Sequence, residues 1–314
     1  MLELRSLKKY FSVGRTLLRA VDNVSLTIGN NEILGVVGES GCGKSTLGRL
    51  ALRLIEPTEG SVVFKGTDLT RLRRHELLSV RQHIQMVFQN PFASFNPKLR
   101  IIASLTEVCR YYGMDITAAH DKIRQLIADI GLSEDMLPRY PRELSGGQLQ
   151  RLAIARALLS DPELIIADEP VSALDVSVQA QLLNLFALLR VSRRREGRNL
   201  SMLFISHDMS VIEYLCDRVA VMYLGKLVEV APSTVLFRDT AHPYTKALIA
   251  AAPRLDKPRS GTTALRGEAM NPAADNATGC VFASRCSRAV IQCRTEVPTL
   301  HEFSTGHTVA CHAL

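Results

Sequence analysis

The sequence predicts an α/β fold built on a parallel sheet, with a phosphate-binding loop at the end of one strand. Three observations carry that prediction. An apolar strand at 32–37 runs into a glycine cluster, and from Gly43 the pattern changes to Leu47, Leu50, Ala51 and Leu54, one face of a helix. Two later runs, Leu164 to Ala167 and Ser201 to Ile205, are apolar at consecutive positions, as expected of parallel strands covered on both faces. A helical stretch at 176–190 links them, so strand and helix alternate.

The 314 residues suffice for one large domain or two ordinary ones. Hydrophobic residues at 46% and charged residues at 22% describe a folded chain and exclude disorder as the main state. Strand-like segments at 2–4 and 24–28 precede the first buried strand. Residues 101–160 carry helical periodicity (Ile123, Leu126, Ile127 and Ile130 before a Gly131 stop, then Leu152, Ile154, Ala155 and Leu158) and read as a helical insertion. After the apolar run 219–224, Gly225 and Lys226 predict a hairpin turn into 227–230. Beyond Asp239 the composition shifts to Pro, Ala, Thr and Arg, with Pro253, Pro258 and Pro272 interrupting any long element, and 240–314 reads as an appended C-terminal region.

No apolar stretch, 219–224 and 247–252 included, approaches the eighteen or so residues that span a bilayer. The N-terminal residues lack the apolar core and cleavage site of a signal peptide, so a cytosolic chain is expected. Lys and Arg outnumber Asp and Glu by 38 to 31, a net +7. That excess is compatible with nucleic acid, an anionic membrane surface or a phosphorylated ligand, and equally with a mildly basic surface lacking a specific partner.

Gly38, Glu39, Ser40, Gly41, Cys42, Gly43, Lys44 and Ser45 fit the Walker A pattern, with Thr46 following. The backbone N–H groups of such a loop wrap a polyphosphate, the lysine reaches the terminal phosphates, and the hydroxyl of Ser45 ligates Mg²⁺. Cys42 occupies a variable position and has no assigned role. A metal-bound nucleotide also needs a carboxylate for the ion and a base for the attacking water, and the strand ending at Asp168 and Glu169 supplies both types. Without the glycine loop, that acidic pair reads as a solvated strand end.

Leu144, Ser145, Gly146, Gly147 and Gln148 form a run that resembles the signature of the ABC transporter ATPases. The family's other landmarks follow in order: Gln89 after a strand, Ser172 to Asp175 just past Glu169, and His207 after the next strand. The resemblance implies a P-loop NTPase (RecA-like) core with an antiparallel β subdomain and a helical signature subdomain at about 90–155. The ATPase would occupy 1–239, and a small cysteine-rich extension 240–314. It implies that ATP lies between the Walker A loop of one subunit and the signature of another. Ser145, Gly146, Gly147, Gln148 and Asp175 would thus act on the partner's nucleotide, at a helix N-terminus. Asp168, Ser45 and Gln89 would hold Mg²⁺, Glu169 would polarise the water, and His207 would position both water and base. Taken alone, His207 and Gln89 read as structural polar residues. Tyr10 is the candidate for stacking on adenine, with Phe11 second. Two departures stand out: Asn30, Asn31 and Glu32 where relatives carry a Gly-Glu turn, and Leu149 where a polar residue often follows the signature.

The segments 89–97, 168–181 and 242–248, the last reading His-Pro-Tyr-Thr-Lys-Ala-Leu, are similar to the dipeptide, oligopeptide and nickel importer ATPases, and closer to the second ATPase of such operons than to the first. That branch implies uptake of a peptide, with nickel or another solute as the alternative. It also implies a sister ATPase, two membrane permease subunits, an extracytoplasmic binding protein and a place on the cytoplasmic face of a bacterial inner membrane. An ABC ATPase acting on nucleic acid or the ribosome would carry two cassettes or a long coiled-coil insertion, and this chain has neither.

Four of the seven cysteines, Cys280, Cys286, Cys293 and Cys311, fall in the last 35 residues. Four soft ligands suit an iron–sulfur cluster or Zn²⁺. Their spacing lacks a Cys-x-x-Cys pair, which leaves free thiols and a metal site equally open. The resemblance favours a [4Fe–4S] cluster, with Zn²⁺ as the alternative. Cys109 and Cys216 read as small core residues, and Arg71, Arg73, Arg74 and the run 193–195 as solvated helix faces.

Overall fold

The computed structural model describes residues 1–14, 16–172, 174–251 and 278–314. Ala173 and the three prolines at 253, 258 and 272 lie outside the described residues. In chain order the elements are β1 (Leu2–Val13), β2 (Thr16–Ile28), β3 (Ile33–Val37), α1 (Lys44–Ala51), β4 (Glu59–Phe64), β5 (Thr67–Asp68), α2 (Arg74–Arg81), β6 (Ile84–Val87), α3 (Ile101–Tyr111), α4 (Ile116–Asp129), α5 (Gly146–Leu158), β7 (Leu164–Asp168) and α6 (Val176–Arg195). They continue with β8 (Ser201–Ser206), α7 (Met209–Leu215), β9 (Arg218–Tyr223), β10 (Lys226–Pro232), α8 (Ser233–Arg238), α9 (Pro243–Ala251), α10 (Gln292–Thr295), β11 (His301–Ser304) and β12 (His307–Val309). The chain divides into two compact units, 1–71 with 204–314, and 72–203.

The first unit contains two sheets. One is antiparallel, ordered β2-β1-β4-β5. The two strand-like segments expected at 2–4 and 24–28 are the ends of long strands that continue to a hairpin, with register shifts along the way. Their outer halves contain no buried residue and mix polar residues with exposed Phe11, Val13 and Leu17, so no alternation of a buried and an exposed face marked them. The other sheet contains the run β11-β12-β10-β9-β3, in which β9 and β3 are parallel and the remaining pairs antiparallel. All five residues of β3 are buried, as its unbroken apolar run requires. Between β2 and β3, Asn31 adopts φ +55°, a left-handed conformation that asparagine tolerates better than most residues with a Cβ.

The hairpin β9–β10 turns at Leu224 and Gly225, both at positive φ, one residue earlier than the sequence indicated. Such a two-residue turn matches strand twist, which overrides the steric preference of leucine. Within this unit β12, from the C-terminal region, pairs with β10 through Glu229 with Val309 and Val230 with Thr308.

The second unit pairs β6 with β7 in parallel and surrounds them with helices. The four apolar residues of β7 are fully buried. Helices α3, α4 and α5 account for the insertion expected at 101–160. Asp115 caps α4 by accepting from the N–H groups of Thr117 and Ala118. Leu149 is completely buried in α5, so an apolar residue at this departure from the family pattern fits its surroundings. Helix α6 extends to Arg195, past the expected 190. Within it, Arg193 is not on a solvated face: its side chain is 11% exposed and donates to Asp161 at 2.7 Å. Asp161 also accepts from Lys122 at 2.6 Å. Burial opposes ionisation of Asp161, but the bonds from Lys122 and Arg193 outweigh it and hold the carboxyl below its usual range. The side chain of Arg71 is 87% exposed, in line with expectation. Cys109 and Cys216 are buried, Cys109 at 1% and Cys216 at 6% exposure, as expected of small core residues. Among the described residues no helix is long and apolar enough to cross a membrane.

Candidate functional site

In the first unit, β3 delivers the chain into the loop 38–43, and α1 begins at Lys44. Gly43 is the N-cap of α1 with φ +107°, and a Cβ there would stand 1.9 Å from the carbonyl oxygen of Ala20. Only glycine fits both the dihedral and the space. Lys44 is 4% exposed, and its ammonium donates to the carbonyls of Gly38 at 2.8 Å and Glu39 at 3.0 Å. The loop thus folds over its own lysine, which places a cation under backbone turned toward a helix N-terminus, the chemistry of a polyphosphate cradle. Cys42 points inward at 3% exposure, burial pushes its thiol up, and its carbonyl accepts from Gly225 N–H. That burial agrees with its lack of a chemical role. Ser40, Gly41, Ser45 and Thr46 complete the segment.

Tyr10, in β1 of the same unit, donates its hydroxyl to Asp22 Oδ1 at 2.7 Å, and Asp22 pairs with Lys226 at 2.7 Å. Burial and the Asp22 carboxylate push the Tyr10 phenol up to about 12. The guanidinium of Arg19 lies over the Tyr10 ring and the ammonium of Lys9 over Phe11. His207, exposed, follows β8 immediately.

The second unit brings together Gln89 and Glu169. Gln89 Nε2 donates to Glu169 Oε2 at 3.1 Å and to Ser172 Oγ at 3.3 Å, and Ser172 in turn donates to the Glu169 carbonyl at 3.1 Å. Asp168, the last residue of β7, is 4% exposed. Glu169 leaves the strand at φ +47°, a strained conformation for a glutamate that turns its carboxylate out of the strand direction. Gln148 and Ser145 form a reciprocal capping box at the start of α5, Ser145 Oγ accepting from Gln148 N–H at 3.3 Å and Gln148 Oε1 from Ser145 N–H at 2.9 Å. A Cβ on Gly147 would stand 2.6 Å from Val178 Cγ1, so the first turn of α5 approaches α6 at a distance only glycine allows. Asp175 is the exposed N-cap of α6.

Sequence reasoning left the Glu39 side chain and the 242–248 motif without a function. In the first unit both Glu39 carboxylate oxygens accept from Arg285, at 2.8 and 3.0 Å. The backbone N–H of Glu39 donates to the Tyr244 hydroxyl at 2.8 Å. The motif is anchored by buried Glu229, which accepts from the N–H groups of Ala241 and His242 and from His307 Nε2 at 2.8 Å. Burial lowers the His242 pKa to about 4, and its neutral Nδ1 accepts from Tyr244 N–H. No local pattern could reveal contacts that span 205 and 246 residues.

The tail cysteines share one neighbourhood. Burial pushes the Cys280 thiol up, and Cys293, Cys311 and Cys286 push it further. Cys286 is raised in the same way, by burial first and then by Cys311 and Cys293. Cys280 N–H also donates to the Cys293 carbonyl at 2.8 Å. Among the described residues no three His, Cys, Asp or Glu side chains are placed to hold a single metal ion.

Residues 21–172 match the ABC transporter family, and 228–293 match the oligopeptide/dipeptide transporter C-terminal region. The chain is 47% identical over 324 residues to the oligopeptide transport ATP-binding protein AppF of Bacillus subtilis, covering 99% of this chain and 97% of AppF. It is 46% identical over 313 residues to a protein of Brucella ovis named for peptide import and ATP binding, again covering 99% and 97%. Among solved structures, the ATP-binding cassette MJ0796, a dimer bound to ADP and Pi, is similar with a TM-score of 0.67 and 28% identity over 74% of this chain and 99% of that one. A glycine loop closed over its lysine, a capped signature helix, a strand ending in Asp168 and Glu169 and matches along nearly the whole chain lead to one assignment: this chain belongs to the ABC transporter ATPases of the oligopeptide/dipeptide branch.

Proposed function

We propose that this chain is the ATP-hydrolysing subunit of an ABC importer that takes up dipeptides or oligopeptides. The observation that carries the reading is the loop 38–45 closed over Lys44, in a chain 47% identical to an oligopeptide transport protein along its whole length. Mg·ATP, when bound, supplies the γ-phosphoryl group and a divalent charge on its oxygens. The backbone of 38–46 binds the phosphates, Lys44 faces the terminal ones, and Tyr10 stacks on the base. Ser45, Asp168 and Gln89 hold Mg²⁺. Glu169 accepts a proton from the attacking water, and His207 orients it. Ser145, Gly146, Gly147, Gln148 and Asp175 serve the nucleotide of a partner subunit. The ATPase occupies 1–239 and the extension 240–314.

The partners are a sister ATPase, two permease subunits and an extracytoplasmic binding protein, at the cytoplasmic face of a bacterial inner membrane. Subunits co-purified with the chain and reconstituted in vesicles are expected to drive ATP-dependent uptake of a labelled peptide. Uptake of Ni²⁺ with no uptake of peptides would overturn the peptide assignment.

The four tail cysteines hold a [4Fe–4S] cluster in a structural or regulatory role. The mutual electrostatic reach of their sulfurs supports this, and the raised thiols of Cys280 and Cys286 make loading a proton-releasing, pH-dependent step. Anaerobic preparations are expected to contain about four iron and four acid-labile sulfide per chain. Stoichiometric zinc without sulfide would replace the cluster, and neither metal would sink the site.

A further inference from the structure

We propose that Arg285 and Tyr244, both outside the ATPase core sequence, are positioning residues for the phosphate-binding loop, holding Glu39 and through it the 38–45 backbone in the shape that receives a nucleoside polyphosphate. This rests on reading that loop as the nucleotide site. Three polar groups of Glu39 have partners. Its N–H donates to the Tyr244 hydroxyl at 2.8 Å, and its carboxylate accepts two bonds from Arg285. Its carbonyl accepts from Lys44 Nζ at 3.0 Å and from Cys42 N–H at 3.2 Å. One residue therefore links the C-terminal region directly to the lysine that faces the phosphates.

The link is built into the interior of the unit. The Arg285 side chain is 6% exposed and also donates to the Tyr223 hydroxyl at 3.2 Å. Tyr223, Tyr244 and Phe282 pack as an aromatic triad with ring centroids 4.6 to 5.4 Å apart. Arg285 lies in the chain between Cys280 and Cys286, and Phe282 between the same two cysteines, so the segment that carries the sulfurs is the segment that grips the loop.

The electrostatic purpose follows from the ligand. A glutamate within a polyphosphate loop repels its ligand unless its charge is neutralised and turned away, and a bidentate guanidinium does both. Removing Arg285 leaves an unpaired, mostly buried anion beside Lys44 and frees the loop on its outer side.

The test is Mg·ADP binding by calorimetry on the full chain. Arg285→Ala is expected to weaken binding by about 10-fold or more, Arg285→Lys by less, and Tyr244→Phe by about 3-fold. Adding Glu39→Gln to Arg285→Ala is expected to restore part of the loss, because the charge left unpaired is then gone. Amide exchange at 39–44 is expected to quicken in Arg285→Ala, a readout that a purely structural tail contact would not move. Should Arg285→Ala fail to fold, Arg285→Lys and Tyr244→Phe carry the same comparison. Parental binding in Arg285→Ala, or a double variant that binds no more tightly than Arg285→Ala, would overturn the clamp, as would parental binding in both Arg285→Lys and Tyr244→Phe. Lys44→Ala serves as the reference: lost binding there with an unchanged Arg285→Ala overturns the clamp alone. Unchanged binding in Lys44→Ala overturns the nucleotide-site reading and the clamp with it.

Discussion

Glu169→Gln is expected to leave Mg·ATP binding intact while lowering the turnover of the assembled transporter by roughly 10²- to 10⁴-fold. Glu169 lies just beyond the buried end of β7, and Gln89 donates to its Oε2 at 3.1 Å. A glutamine at 169 keeps an oxygen for that bond and the same volume, so the geometry is preserved and only the basicity and charge are lost. General-base removal on that scale corresponds to about 3 to 5.5 kcal/mol of barrier. The measurement is steady-state phosphate release beside equilibrium binding of ATP. Turnover within a few-fold of the parent would remove Glu169 from the role of base. The neighbouring Asp168→Asn separates metal binding from proton transfer, because its loss is expected to depend on Mg²⁺ concentration.

The second large effect belongs to Gly43. A Cβ at this position meets the Ala20 carbonyl at 1.9 Å, and φ +107° is a conformation that residues with a Cβ rarely adopt. Gly43→Ala therefore combines backbone strain of about 1 to 3 kcal/mol with overpacking of about 1 to 3 kcal/mol. The thermal midpoint is expected to fall by roughly 5 to 15 °C, and Mg·ADP affinity by more than about 100-fold, because the loop cannot keep its shape over Lys44. Scanning calorimetry with and without nucleotide tests both. A variant with an unchanged midpoint would show that the loop moves away from Ala20 at no cost.

Much of the site was legible because its chemistry is local in sequence. A phosphate loop needs glycines, a lysine and a hydroxyl within eight residues, and a signature helix needs Ser145 and Gln148 three positions apart to close a capping box. The same holds for β3 and β7, whose burial on both faces writes an unbroken apolar run. The long hairpin β1–β2 was legible only at its ends, since its outer half buries no residue and so shows no alternation of a buried and an exposed face. Arg193 reads from its neighbours as one of three surface arginines, yet its side chain is drawn in against Asp161, 32 residues away, and only 11% exposed.

By itself, the sequence determined the family, the phosphate loop, the acidic pair after β7 and the order of the landmarks, because each is set by contacts within a few residues. Only the tertiary structure decided what the C-terminal region does. Pairing of β12 with β10, the burial of Glu229 under His307 and the grip of Arg285 and Tyr244 on Glu39 join segments from 78 to 246 residues apart. Such pairs leave no periodicity or spacing in the chain, since the ion pair and the hydroxyl bond are specified by where folded elements meet and not by what lies next to them in sequence.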